Sequence, residues 1–327
     1  MPERASIFQV VQVGVESTPG TAVTATKKLT GLQIEPGVQA EIKRYRPTGY
    51  KFGTVAALTK EWTEASIRGP LTYTEIVYLL CGLMGNVTPV NGSPTTAKVW
   101  TFNVDSDGAD TPKTYTIEQG SAERAHRFAY GLVTGLTLSF GNDGAEVSGS
   151  MIGKALSDGF TLTGGATEVA LVPVTRPQVI VKLADTMAGL GAASALARVV
   201  SAEWTLENRF APVWVLNGAS DWPAHVEMEP SGSAKLMVEA DAEGMGLLTT
   251  MRNNAFKFMR IQATGAQIGI GPATYSVLVD CAVKVANVNP FSDQDGIYAI
   301  EWDLELQHDA TAGYATRVTV TNELASL

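Results

Sequence analysis

An internal repeat constrains this chain more than any other feature, because five segments recur in the same order at long range. QVVQVGVE (Gln9–Glu16) returns 169 positions later as QVIVKLAD (Gln178–Asp185). GLQIEP (Gly31–Pro36) lines up with EWTLEN (Glu203–Asn208), and EWTEASIRG (Glu61–Gly69) with SAKLMVEAD (Ser233–Asp241), both at an offset of 172. TYTIEQG (Thr114–Gly120) matches FMRIQATG (Phe258–Gly265), with Ile117 opposite Ile261 at 144. GNDGAEVSGSMIGK matches DQDGIYAIEWDLEL, with Asp143-Gly144 opposite Asp295-Gly296 at 152. Most of the shrinkage falls in Asn86–Pro112, a polar stretch bearing Pro, Gly and Asp that reads as a loop insertion in the first copy. The expectation is two tandem domains, residues 1–172 and 173–327, divided near Ala170–Arg176 after the Gly/Thr-rich run Thr161–Thr167.

Each copy reads as mainly β. Ile300, Trp302, Leu304 and Leu306 alternate with Glu301, Asp303, Glu305 and Gln307, the two-residue period of a half-buried strand. Ala202, Trp204 and Leu206 repeat the pattern against Glu203, Thr205 and Glu207. Asp-Gly at 143–144 and 295–296 predicts tight hairpin turns. One flanking helix per copy is expected. In the first, Tyr73, Ile76, Val77, Leu80 and Met84 follow helical spacing behind a Thr72/Glu75 capping box, and Gly82 or Gly85 ends it. In the second, Asp241 caps a helix through Leu247, Leu248 and Met251 that stops near Asn253-Asn254. Each unit is then a β-sandwich or small barrel with a helix packed on its flank.

Composition narrows the function classes. A chain of 327 residues, 45% hydrophobic and 17% charged, can bury two ordinary cores. No run approaches the ~18 apolar residues of a spanning helix, and no signal-peptide hydrophobic region follows Met1–Ser6. With only Cys81 and Cys281, a disulfide framework is not expected, and synthesis in a reducing cytoplasm is. A formal charge of −9 disfavours general binding to nucleic acid through phosphate neutralisation.

Signatures of chemistry are missing. His126, His225 and His308 are scattered and belong to no metal-binding or triad pattern. Gly153-Lys154 is followed by Ala155, so there is no P-loop, and Gly269-Ile-Gly271 runs into Pro272 as a turn. The acidic clusters Asp105–Asp110 and Asp293–Gly296 lack the later glutamate of a calcium loop and read as loop tips. Glu227 and Glu229 are uninformative in so acidic a chain. Cys81 falls in the apolar helix pattern and reads as core. No cofactor or metal is expected, and nothing points to an enzyme.

GVESTPGTAVTATKKLTGLQIEP (Gly14–Pro36), LTYTEIVYLLCGLMG (Leu71–Gly85), TYTIEQGS (Thr114–Ser121) and GLTLSFGNDGAEVSGSMIGK (Gly135–Lys154) follow one another. In that order they resemble the tail tube (major tail) proteins of bacteriophages with long, non-contractile tails. The chain is similar to the members that fuse two tube domains. The resemblance implies a structural virion protein whose strands, side by side with those of its neighbours, complete a ring-shaped inner β-barrel. Six domains make a ring, so three copies of a two-domain chain suffice, and rings stack head-to-tail into a tube. It implies as partners other copies of the chain, a tape-measure protein, tail-tip and terminator proteins, and double-stranded DNA that passes during ejection without specific binding. It implies assembly in the host bacterial cytoplasm. An acidic lumen then has a use, since it repels the DNA backbone, and Glu301, Asp303 and Glu305 are the candidate lumen-lining residues, against an ordinary solvated outer face. Asn86–Pro112 is a candidate loop to an adjacent subunit or ring.

Two other readings stand beside this one. A baseplate hub, capsid decoration protein or secreted-tube subunit would share the β-rich, non-enzymatic profile. A carbohydrate-binding β-sandwich could use the tryptophans at 62, 100, 204, 214, 222 and 302, although Trp204 and Trp302 fall on apolar strand faces that favour core packing.

Overall fold

The structure is a computed structural model and describes residues 8–104, 106–242, 244–294 and 296–327. Met1–Ser6, Asp105 of the first acidic cluster, and Asp295 of the second cluster and hairpin turn lie outside the described residues. In chain order the first half holds β1 (Val10–Val15), β2 (Lys27–Leu29), β3 (Gln33–Tyr45), β4 (Val55–Pro70) and helix α1 (Ile76–Leu83). It continues with β5 (Val90–Asn91), β6 (Lys98–Asn103), β7 (Tyr115–Gly120), β8 (Ala125–Gly141), β9 (Gly144–Gly153), β10 (Ser157–Phe160) and β11 (Thr167–Glu168). The second half holds β12 (Val179–Ala184), β13 (Val199–Glu207), β14 (Phe210–Val213), β15 (Ala224–Glu227), β16 (Ser231–Glu239) and helix α2 (Leu247–Arg252). After these come β17 (Lys257–Gln267), β18 (Thr274–Val288), β19 (Ser292–Gln294), β20 (Ile297–Leu306) and β21 (Thr316–Asn322).

One order of strand pairing occurs twice. In the first half β1 pairs with β7, β7 with β8, β8 with β9, β9 with β4 and β4 with β3, all antiparallel. In the second half β12, β17, β18, β20, β16 and β13 pair in the corresponding sequence, again antiparallel. β8 and β18 hold the same place in their halves. Each pairs along its first part with β7 or β17 and along its last part with β9 or β20, with a register shift where it pairs with β9 or β20. Anchored at Ile117 and Ile261, the registers set Val13 opposite Val181, Val147 opposite Trp302, Ile67 opposite Ala234 and Ile34 opposite Trp204. These differ by a few positions from the offsets read in the sequence. Short apolar alternations carry strand order, whereas a slip of one residue turns every side chain to the other face.

Several local expectations change. Helix α1 does not flank the sheets, because all eight of its residues are buried. Thr72 Oγ1 accepts the Glu75 N–H at 3.0 Å, which is half of the capping box. The Glu75 carboxylate turns away and accepts from the backbone N–H groups of Thr30 (2.6 Å) and Gly31 (3.1 Å). Burial still holds the pKa of that carboxyl above its ordinary value, against the lowering effect of these bonds. Gly85, at φ 110°, follows the helix end and takes a conformation a side chain disfavours. Asp241 does not cap helix α2: its Oδ1 accepts the Gly244 N–H at 2.8 Å at the start of a 3-10 turn, Gly244–Gly246, and α2 follows from Leu247 with Gly246 as its N-cap and no side-chain cap. The β8–β9 turn is Asn142-Asp143, closed by the Gly141/Gly144 pair, one position earlier than Asp-Gly predicts.

Asn86–Pro112 is not simply a loop. It contains β5 and β6, and β6 pairs with β21 near the far end of the chain. Trp100 and Phe102 on β6 are buried, and Trp100 Nε1 donates to the Leu324 carbonyl at 3.1 Å. The stretch therefore ties the two halves of one chain together. Arg209 does the same from the other side. Fully buried, it donates to the Leu83 carbonyl at 3.1 Å and forms ion pairs with Asp110 and Glu227. One hydrophobic cluster runs from Val11 through α1 to Val320, so both halves share a core. No closed barrel forms among the described residues of the single chain.

Candidate assembly surface

The two halves are joined edge to edge where the second part of β8 meets β13, from Leu136 opposite Leu206 to Phe140 opposite Ala202. This junction makes one continuous antiparallel run in the order β3–β4–β9–β8–β13–β16–β20–β18. Side chains alternate across it. Ile34, Ile67, Val147, Leu138, Trp204, Ala234 and Leu304 lie on the buried face. The other face carries a cross-strand row of polar residues: Gln33, Arg68, Ser148, Thr137, Thr205, Ser233, Glu305 and Lys284.

Glu301, Asp303 and Glu305 all stand on this polar face, opposite Met237, Lys235 and Ser233 of β16. Glu301 accepts from Asn289 Nδ2 at 2.7 Å, and Asp303 from Asn287 Nδ2 at 3.4 Å. Glu203 and Glu207 on β13 add carboxylates that the alternation of that strand had already exposed to view. The first half contributes Glu35, Glu64 and Glu146 but more hydroxyls, and Arg68 pairs with Glu35 at 3.0 Å. Thr137 and Thr205 share a 3.0 Å hydrogen bond across the junction. The result is a broad acidic and hydroxyl-rich sheet, with its carboxylates concentrated in the second half.

Both ends of the run are open. Among the described residues β3 pairs only with β4, and the last part of β18, beyond Val283, pairs only with β20. Beside β3 lies a groove of about 540 Å³ lined by Val10, Val11, Leu32, Ile34 and Glu35. The corresponding place in the second half, between β12 and β13, is entered by Phe140, Gly141 and Asn142 of the first half. Residues of the first half thus line the groove of the second, whereas the groove beside β3 is lined by residues of its own half.

The family profile described as phage tail tube protein matches residues 9–311. The chain belongs to the phage tail tube protein family. No curated protein matches it. Membership makes it a structural component of a phage tail tube, a class of protein that self-assembles into a tube. No helix among the described residues is long and apolar enough to cross a membrane.

The remaining features read from the sequence do not meet at one place. Cys81 and Cys281 are free and buried, and burial pushes both thiols up to about 12. His225 bonds Tyr130 Oη at 2.9 Å and packs edge-on against Phe210. His126 lies beside Asp158 at 3.2 Å. Trp100, Trp204, Trp222 and Trp302 are buried, which removes four of the six rings offered for sugar stacking. Sequence reasoning missed the two open edges, since an unpaired edge has no residue signature apart from its partner's absence.

Proposed function

We propose that this tail tube protein is built of two tube domains, residues 1–172 and 173–327, and that three chains form each ring of a long, non-contractile tail. The β8–β13 junction carries the reading. By the equivalence of the two ladders, Leu136–Phe140 corresponds to Ala286–Pro290, and Ala202–Leu206 to Leu32–Pro36. The end of β18 in one chain therefore pairs with β3 of the next as β8 pairs with β13 within the chain. Asn287 comes opposite Glu35 and Val288 opposite Ile34. The groove beside β3 receives the incoming strand end. Such a contact is heterologous, and it closes into a ring when the rotation permits. It also removes both exposed edges, which otherwise invite disordered aggregation.

In the ring the polar face points inward. Glu301, Asp303 and Glu305 line the lumen, and their charge repels the backbone of double-stranded DNA during ejection. A basic lumen would release counterions from DNA and hold it. Stacked rings enclose the tape-measure protein before DNA passes, and tip and terminator proteins cap the two ends. Electron microscopy of the purified wild-type chain tests the reading. Rings or tubes with a regular lumen are expected. Monodisperse particles under all polymerising conditions would contradict it.

A further inference from the structure

The hairpin that ends in β20 differs at its tip from its counterpart in the first half. Continuing the equivalence that matches Phe140 to Pro290 and Val147 to Trp302, Gly141 corresponds to Phe291 and Gly144 to Ala299. The first hairpin closes at once through the polar turn 142–143. The second runs on through 292–298, where β19 pairs with the start of β20. This extension exposes three apolar side chains, Phe291, Ile297 and Tyr298, and Phe291 stacks on Tyr298 at 4.5 Å. Its backbone is held in place. The Tyr298 carbonyl accepts the Ala240 N–H at 2.8 Å, and the Gly296 N–H donates to Asp293 Oδ1 at 2.7 Å. Exposed aromatic rings on a fixed backbone suit an interface, because little freedom is lost when they dock.

The seam inside the chain shows what such a hairpin end faces. Phe140, Gly141 and Asn142 line a groove of about 120 Å³ together with Arg176, Val179 and Ser201 of the second half. Counting from Val13 opposite Val181 and Leu32 opposite Ala202, those three positions become Phe8, Val11 and Gly31 in the first half. The groove beside β3 is the larger, at about 540 Å³, and apolar groups stand next to it. Phe8 and Leu171 each expose more than half of their surface, and Leu171 Cδ1 lies 2.8 Å from the place a Cβ on Gly31 would take. A side chain begun at Gly141 would meet no heavy atom within 4 Å, so the step that Phe291 takes has room for its ring. Where the internal seam sets Gly141 and Asn142 against Arg176, a joint between chains sets Phe291 against Phe8.

We infer that the 291–298 hairpin end of each chain clasps a second copy in the same ring, seating Phe291 and Tyr298 on Phe8 and Leu171. The inference rests on the tube reading and extends it from strand pairing to a side-chain lock. Within one chain the halves are also tied by the covalent connection, by β6 on β21 and by Arg209 on the Leu83 carbonyl. Two separate chains have none of these ties and lose translational and rotational freedom on meeting. The clasp supplies apolar contact that the internal seam does without. It also gives the joint its direction. A free β3 edge can pair with another β3 edge as well as with β18, but only the end of β18 brings the aromatic tip, so the clasp favours the head-to-tail joint over the self-paired one.

The test combines Phe291→Ser with Tyr298→Ser. Assembly followed by sedimentation and electron microscopy should require about tenfold more protein, or beyond, for the variant than for the wild-type chain. Assembly of the variant at wild-type concentrations would overturn the inference. A misfolded variant would also fail to assemble, so a second measurement uses Leu171→Cys with Phe291→Cys, free of competition from the buried native thiols. Oxidised assemblies should give a covalent series that ends at three chains. A series running past three would place the tip against another ring, and intact tubes without cross-links would leave it unseated; either result overturns the inference. If Glu35→Cys and Asn287→Cys link chains while this pair does not, the strand joint stands and the clasp alone fails. Wild-type chains that form neither rings nor tubes would sink the tube reading and this inference with it.

Discussion

Arg124 and Asp158 pin the short strand β10 to the start of β8. Arg124 Nε donates to Asp158 Oδ1 at 2.9 Å, and a second guanidinium nitrogen bonds Oδ2. These bonds, with help from the Gly159 backbone N–H, bring the Asp158 carboxyl down to about 2 from its ordinary 3.8. A depressed carboxyl stabilises the fold above its unfolded pKa and loses that contribution as pH falls toward the folded value. The β10 edge should therefore loosen between about pH 4 and 2. In an NMR titration Asp158 should show a midpoint near 2, and Arg124→Gln should return it toward 3.8; no movement in the variant would reject the pairing. At this scale the sequence was uneven. Trp204 and Trp302 announced their burial by strict alternation. Arg209 gave no sign, because Asp110 lies 99 positions away and the Leu83 carbonyl 126.

Strand β20 was the most legible element, with every second residue apolar from Ile300 to Leu306, and its acidic face is where the proposed lumen charge sits. Reversing it with Glu301→Lys, Asp303→Lys and Glu305→Lys should leave assembly intact, since none of the three is in the core. Tubes of this variant should retain short duplex DNA at low salt, whereas wild-type tubes exclude it, and added salt should release it. Equal exclusion by both would place these residues outside the lumen. Strand β6 was illegible by comparison. Trp100 and Phe102 give only two beats of alternation inside a stretch punctuated by Pro94 and Pro112, so a core strand looked like a loop. Its partner β21 lies more than 200 positions away, and only that distant pairing reveals it. Helix α1 was found, but its full burial depends on packing against β8 and β6, with Arg209 of the second half reaching the Leu83 carbonyl at its end.

For the whole molecule, the repeat in the sequence foretold the order of strands and missed the seam between the halves. Order follows from local apolar patterns, but the seam is an edge-to-edge pairing that no local pattern encodes. That seam is the basis of the account, because it supplies the geometry for joining one chain to the next. The most direct measurement introduces Glu35→Cys and Asn287→Cys together, two exposed positions set opposite each other across the proposed contact. Oxidised assemblies run on a denaturing gel should give a covalent series that ends at three chains. A monomer band alone from intact tubes, or a series extending past three, would contradict the account.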